Sequence, residues 1–388
     1  SVAGSTVMQC GYAHAFLDED ITPLKFYTRD SDNGKFKTPL RTSPTNKTVF
    51  TPTPFQTFEF KGGCEKAPAD LTREAYENAI AKKNLSLKQI QEDPLVTEIA
   101  TGSPLAMMSG YLHFKPDFYN KCTTLTPDVA IWGDHKRGIQ AYDFSTADGI
   151  RLKVLKIKKK HLHDRTSDSA KKVLDLVTEY IEHFRRTLHF TYQLNYDCLK
   201  DELRPLARVK AKVTRLFNIT DFIDNVLFKC ALGDLMARLG NRYMLTNACC
   251  GVNPASSQWA VLYRRFEGQN VLSKDVSGMD ETLRPFITYV ICEFVSQFYP
   301  EGSFDSVFAR WAVESCMLAI RFNDGVGIIN GQGNSSGNQG TTFINTCSMQ
   351  VLENLSGFIL VHQFDYSWDR FVMERRLAIY SDDTLCSH

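Results

Sequence analysis

Leu377-Ala378-Ile379-Tyr380-Ser381-Asp382-Asp383-Thr384-Leu385-Cys386 is the stretch whose reading decides the fold. An apolar run enters two adjacent carboxylates and a second apolar run leaves them. The pattern predicts a β-hairpin with Ser381, Asp382 and Asp383 at its tip. Two anions side by side repel, and a tip gains nothing from them unless a counter-charge sits there. A divalent cation would supply it, because hard cations such as Mg²⁺ select carboxylate oxygens. A solvated turn is the competing reading, since Asp is a common turn residue. Other stretches of the chain have to decide between the two.

The 388 residues are 43% hydrophobic and 23% charged, with a net charge of +1. That is globular composition, long enough for two or three subdomains. A near-neutral total leaves room for a nucleic-acid partner only if the positive surface is local, as in a lined channel. The 11 cysteines are scattered without a C-x-x-C pair, which fits reduced usage rather than a disulfide framework or a zinc site. No apolar run is long enough for a membrane span and no signal peptide opens the chain. Ser1 in place of an initiator Met, and a hairpin barely finished at His388, read as a piece of a longer protein.

Four prolines (Pro39, Pro44, Pro52, Pro54) make the first 65 residues an irregular, β-like arm. A helix is expected from Leu71 to Lys83. Asp143 to Gly149 is a small-residue turn that runs into Arg151, Lys153, Lys156, Lys158, Lys159, Lys160, His161 and His163. Such a run is either a phosphate-backbone path or a solvated charged face. The next helix carries Val173, Val177 and Phe184 at helical spacing, with Ser169 as cap. Lys200, Arg204, Arg208, Lys210, Lys212 and Arg215 form a second basic cluster, and alternation over 208–212 predicts a strand with several cations on one face. Grouped cations need an anion, which a triphosphate or an RNA backbone would supply.

Asp221 to Leu239 reads as a helix ended by Gly240. Val271 to Lys274 reads as a strand ending at Asp275-Val276-Ser277-Gly278-Met279-Asp280, followed by a helix from Pro285. A second helix is expected over Phe304 to Phe322, then a Gly-rich hairpin over 325–333. Ser335-Ser336-Gly337-Asn338-Gln339-Gly340-Thr341-Thr342 is a polar loop feeding a helix. Thr341 and Asn345 fall on one face of that helix, able to reach one ligand. A plain Gly/Ser loop with Thr as helix cap is the alternative.

Asp-x4-Asp at a strand end, Ser-Gly-x-x-Gly-Thr-x-x-x-Asn on a loop and helix, and Tyr-Ser-Asp-Asp on a hairpin follow one another in order. The set resembles motifs A, B and C of viral RNA-dependent RNA polymerases of the picornavirus-like supergroup. Lys200-Asp201-Glu202-Leu203-Arg204 through Arg215 is similar to motif F, and Asp143 to Gly149 to motif G. Lys37 to Pro44 is similar to the N-terminal fingertip arm. Three positions depart from the usual pattern: Ser381 where Gly is common, Met279 where an aromatic is common, and Val213 where a Lys is common.

The resemblance implies an α+β right-hand polymerase with fingers over 35–220 and mainly palm over 221–388. A fingers insertion would lie around 240–268, residues 1–34 stay unassigned, and motifs D and E and the thumb would follow His388. Implied roles are Asp275, Asp382, Asp383 and the Val276 carbonyl at two Mg²⁺ (or Mn²⁺) ions, which clamp an in-line phosphoryl transfer from about 4 Å apart. Asp280, Ser336, Thr341 and Asn345 would select the ribose. Lys200, Arg204, Lys212 and Arg215 would neutralise the triphosphate, and Ser145, Thr146, Gly149 and Gly337 would meet template RNA. Implied partners are template and product RNA, NTPs, a protein primer and other viral replication proteins, at replication complexes in the host cytoplasm. The competing readings are a reverse transcriptase, which would place a bulky gate at Asp280, and a non-catalytic RNA-binding relative.

Overall fold

The computed structural model describes residues 66–89, 93–108, 122–189, 192–240, 247–250, 252, 256–276, 278–323, 326–329 and 332–387, with a short strand at 24–25. The expected fingertip arm at 37–44 lies outside the described residues. The first half of the chain runs β1 (Leu24–Lys25), β2 (Lys66–Pro68), α1 (Arg73–Gln89), α2 (Pro94–Gly102), α3 (Pro127–Trp132), α4 (Ile150–Val154), α5 (Asp168–Thr187), β3 (Gln193–Leu199), β4 (Leu203–Pro205), α6 (Leu206–Lys210) and β5 (Leu216–Thr220). There follow α7 (Phe222–Gly240), α8 (Gln258–Phe266), β6 (Val271–Asp275), α9 (Met279–Thr282), α10 (Pro285–Ser296), α11 (Phe304–Met317), β7 (Ala319–Asn323), β8 (Val326–Ile329), α12 (Thr341–Gln363), α13 (Trp368–Glu374), β9 (Arg376–Tyr380) and β10 (Asp383–Ser387).

Helices and strands are interleaved without a βαβ repeat, which makes the architecture α+β. One sheet has the order β1-β8-β7-β3-β5, and a second has the order β6-β10-β9. Only β3 with β7 is parallel in the first; the second is antiparallel throughout. The core lies where α5, α7, α10, α11 and α12 meet, around Val226, Phe228, Phe294, Phe308 and Ile344. α7 is buried along most of its length, with Asp224, Lys229 and Asp234 enclosed among its apolar residues. Each such aromatic contributes about 1.5–3 kcal/mol by leaving water, so α7 and α12 form a stiff base. Among the described residues no helix is long and apolar enough to cross a membrane.

Four local expectations need correction. The alternating 208–212 segment is not a strand: Pro205 starts one helical turn, which closes with Ala211 N–H donating to the Ala207 carbonyl at 3.1 Å and ends at Lys212 with φ +52°. The helix expected over 304–322 stops at Met317, because Ala319 to Asn323 leaves as β7 to pair with β3 and β8. The α5 cap is Ser167, whose hydroxyl accepts from Ala170 N–H at 3.1 Å, and not Ser169.

The fourth concerns the basic run at 151–163, part of which is neither an RNA path nor a solvated face. Arg151 reaches Asp221 at 3.0 Å and Asp224 at 2.8 Å, and Lys153 donates to the Tyr196 hydroxyl at 3.1 Å. Lys159 is buried and donates to Thr146 Oγ1. Arg151 and Lys159 are consumed in packing, while Lys153 makes its bond from an exposed position.

Candidate active site

Strand register brings the distant carboxylates together. Asp275 pairs directly across from Asp383, which pairs in turn with Tyr380. Residues directly opposite in an antiparallel pair share a face of the sheet. Lys274, one residue earlier, points the other way and is held by Glu353 of α12 at 2.8 Å, which fixes the side that Asp275 must take.

Ser381 and Asp382 form the two-residue turn between β9 and β10. Ser381 has φ +57°, a conformation that costs an L-residue roughly 1–2 kcal/mol. It is held there by α12: Ser381 N–H donates to Thr346 Oγ1 at 2.9 Å, and Asn345 Nδ2 donates to Ser381 Oγ at 3.3 Å. α12 therefore carries the hairpin tip on two adjacent residues.

Burial raises the Asp383 carboxyl above the usual range, and the charges of Asp382 and Asp275 add to it. Among the described residues no lysine or arginine forms an ion pair with any of the three. Hard oxygen donors with uncompensated charge suit Mg²⁺ or Mn²⁺. The donor set fits such ions, while among the described residues it does not close a three-ligand cage by itself. Asp275, Val276 and Asp382 line one cavity of about 830 Å³; Asp383 lines a smaller one beside Trp259 and Leu385. Asp383 is thus peripheral.

The opposite wall of the large cavity is basic. Lys200, Arg204, Lys212 and Arg215 all line it, as does Arg208 of the same basic cluster, together with Lys82 and Lys83, which the sequence did not single out for this site. Glu202 organises three of these cations, with Lys200 at 3.1 Å, Arg204 at 3.4 Å and Arg215 at 3.8 Å. Lys212 pairs with Glu74 of α1, and that bond raises its amine above the ordinary value. Lys212 thus reaches the cavity from the end of a helical turn, not from a strand face.

The 334–345 segment joins the two walls. Asp280, Ser336, Thr341 and Asn345 all border the cavity. Asn345 Oδ1 accepts from Asn334 Nδ2 at 2.8 Å, so its amide is oriented from one side by Asn334 and from the other by Ser381. Ser336 Oγ accepts from Asn218 N–H of β5 at 3.0 Å and keeps its own proton to donate. The Thr341 hydroxyl turns back into the loop, 2.6 Å from the Ser335 carbonyl. Gly337 does not line the cavity: a Cβ there would lie 2.1 Å from the Asn218 carbonyl oxygen, so its role is close packing on β5. Asn225 of α7 clamps the same loop, accepting from Gln339 N–H at 2.7 Å and donating to the Gly337 carbonyl at 3.3 Å. Asn218, Asn225 and Asn334 went unnoticed in the sequence, where nothing but their polarity marks them.

Ser145 and Thr146 sit in a turn capped by Asp143, and neither borders the large cavity. Their neighbour Ala147 borders an adjoining cavity of about 690 Å³ that shares Lys200 and Ser336 with the first. Gly149 (φ +82°) is packed against Asp221 and Phe222, where a Cβ would come within 2.7 Å of backbone. Its place is structural.

The family model for viral RNA-dependent RNA polymerases matches residues 71–387. A segment of the Tomato torrado virus RNA1 polyprotein is 25% identical over 276 residues, which is 64% of this chain and 12% of that polyprotein. A segment of the Rice tungro spherical virus (strain Vt6) genome polyprotein is 32% identical over 136 residues, 34% of this chain and 4% of the polyprotein. Among solved structures, the Sicinivirus 3Dpol RNA dependent RNA polymerase aligns with TM-score 0.66 at 20% identity, covering 84% of this chain and 65% of that one. The chain thus spans less than two thirds of that polymerase and a small share of the polyproteins. The α+β fold is of the right-hand polymerase type. With the family match running through both carboxylate strands and the loop between them, the chain belongs to the viral RNA-dependent RNA polymerases.

Proposed function

We propose that the protein containing this chain copies RNA from an RNA template, joining the α-phosphate of an NTP to a primer 3′-OH with release of pyrophosphate. The observation that carries this is a two-faced cavity: Asp275 and Asp382 on one wall, the pairing of Asp383 with Asp275 having brought the turn that carries Asp382 beside β6, face the Lys200, Arg204, Lys212 and Arg215 wall. A nucleoside triphosphate with its divalent cations has the complementary charge pattern, anionic tail and cationic centre.

In this reading Lys200, Arg204, Lys212 and Arg215 neutralise the triphosphate and hold it in line. Asp275, Asp382 and the Val276 carbonyl would hold two Mg²⁺ or Mn²⁺ ions, with Asp383 assisting from the rim. When bound, those ions offset the charge that develops on the attacking and leaving oxygens. Asp280, Ser336 and the free N–H of Asn345 converge on the place of the ribose and would read its 2′-OH, the group that separates ribonucleotides from deoxyribonucleotides. Thr341 acts one step back, by stiffening the loop that presents Ser336.

Primer extension by the full-length protein on an RNA template is the test. Asp275→Ala and Asp382→Ala should each reduce NTP incorporation by about a thousandfold or more, as loss of a metal-holding group does. Template-dependent incorporation unaffected by Asp382→Ala would refute the assignment.

A further inference from the structure

Lys83 of α1 borders the catalytic cavity yet is only 4% exposed. Its Nζ donates to Asn218 Oδ1 at 3.3 Å, and among the described residues it has no carboxylate in ion-pair contact. The cations around it are differently placed: Lys200, Arg204 and Arg215 share Glu202, and Lys212 has Glu74. A buried ammonium held only by an amide is costly unless nearby negative charge offsets it.

Part of that charge is Asp197, itself paired with Arg321 at 2.5 Å; the rest stands on α9. Asp280 and Glu281 are consecutive carboxylates lining the same cavity. Burial, then the Asp280 charge, raises the Glu281 carboxyl, while Lys83, Arg321 and Lys82 oppose the rise. Burial and Arg321 lower the Lys83 amine, and Asp197, Asp280 and Glu281 act to raise it. The lysine and the two carboxylates are therefore one electrostatic unit. Asn218 extends it, since its side chain contacts Lys83 and Asp197 while its N–H donates to Ser336 Oγ at 3.0 Å.

We infer that Lys83 is a positioning residue for ribose selection: it supplies the counter-charge for the Asp280–Glu281 pair and so holds Asp280 as the hydrogen-bond acceptor for a 2′-OH. The inference rests on the polymerase reading above. Without Lys83 the two adjacent carboxylates repel without its charge beside them in the cavity, and Asp280 no longer holds the position from which it accepts from the sugar. Discrimination falls while the triphosphate contacts and the metal-binding carboxylates stay in place.

The experiment compares kcat/KM for ATP and 2′-deoxy-ATP in primer extension by the full-length protein. Lys83→Met should lower kcat/KM for ATP by about tenfold to a hundredfold, the value of a hydrogen bond to a charged group, and leave 2′-deoxy-ATP within about threefold. Adding Glu281→Gln should restore most of the ratio, because a single remaining carboxylate needs no shared counter-charge. Equal losses for both nucleotides, or no restoration in the double variant, overturn the inference. Glu281→Gln alone should keep or raise the ratio, and a fall there overturns the inference however Lys83→Met folds. Extension by the wild type with these ratios unmoved sinks this inference alone; no extension by the wild type sinks the polymerase reading with it.

Discussion

Replacing Gly337 with alanine tests how the loop between the two walls is held. Its φ lies outside the left-handed region, so the substitution introduces a steric problem rather than a conformational one. The new Cβ would sit 2.1 Å from the Asn218 carbonyl oxygen and 3.0 Å from Thr220 N. An ordinary C···O contact is about 3.3 Å, so loop and strand must separate by roughly 1 Å. β5 is locked into the ladder with β3, so the loop moves. The bond between Asn218 N–H and Ser336 Oγ, now 3.0 Å, is then lost. Overpacking costs about 1–3 kcal/mol and the hydrogen bond about 1 kcal/mol. If most of that falls on the loop's binding-competent position, kcat/KM for NTP drops about thirtyfold to a thousandfold. The assay is steady-state primer extension by the full-length protein, with thermal unfolding to confirm that the fold survives. A folded Gly337→Ala protein with kcat/KM within about threefold of wild type would refute the reasoning.

Substitutions at three other sites follow from the structure. Ser381→Gly and Ser381→Ala both remove the acceptor for Asn345, but only glycine relieves the φ of +57°; the glycine variant should be more stable in urea unfolding by about 1 kcal/mol, and equal stabilities would contradict the strain argument. Asn334→Ala removes the donor that orients Asn345 Oδ1 and should reduce ATP over 2′-deoxy-ATP preference by about tenfold with the melting temperature nearly unchanged; an unmoved preference counts against that orientation. Lys229, whose amine burial lowers from 10.5 to about 8, binds its proton more tightly in the unfolded chain, so wild-type stability should rise between pH 8 and pH 10.5. Lys229→Met should stabilise by about 1–2 kcal/mol at pH 7, after allowance for its lost contacts to the Gln140 carbonyl and the Tyr142 ring. That gain should shrink toward pH 10.5; a gain that grows with pH would show the sign to be wrong.

The sequence was most informative where local pattern and tertiary role coincide. The hairpin tip at Ser381, Asp382 and Asp383, the strand ending at Asp275 and the helix from Pro285 each combine a clear period with a clear terminator, and all three stand as expected. The 208–212 segment misled because five alternating residues also satisfy a single helical turn, and Pro205 decides for the turn. The long helix over 304–322 misled because Ala319 to Asn323 is as apolar as the helix before it; only its strand partners stop the helix. The basic run at 151–163 was ambiguous because the carboxylates that absorb Arg151 lie some 70 residues away. Likewise Glu202, Asn218, Asn334 and Lys83 are ordinary residues until folding places them beside the cavity. Their meaning is positional, and position over such separations is not written in local pattern.

The central claim is that Asp275 and Asp382 share a divalent cation. Anomalous diffraction from crystals of the full-length protein soaked in Mn²⁺ measures this directly. The account predicts a manganese peak with an oxygen of each carboxylate within about 2.5 Å, absent in Asp275→Ala. A peak held by one carboxylate alone, or manganese bound elsewhere with this pair bare, would contradict it.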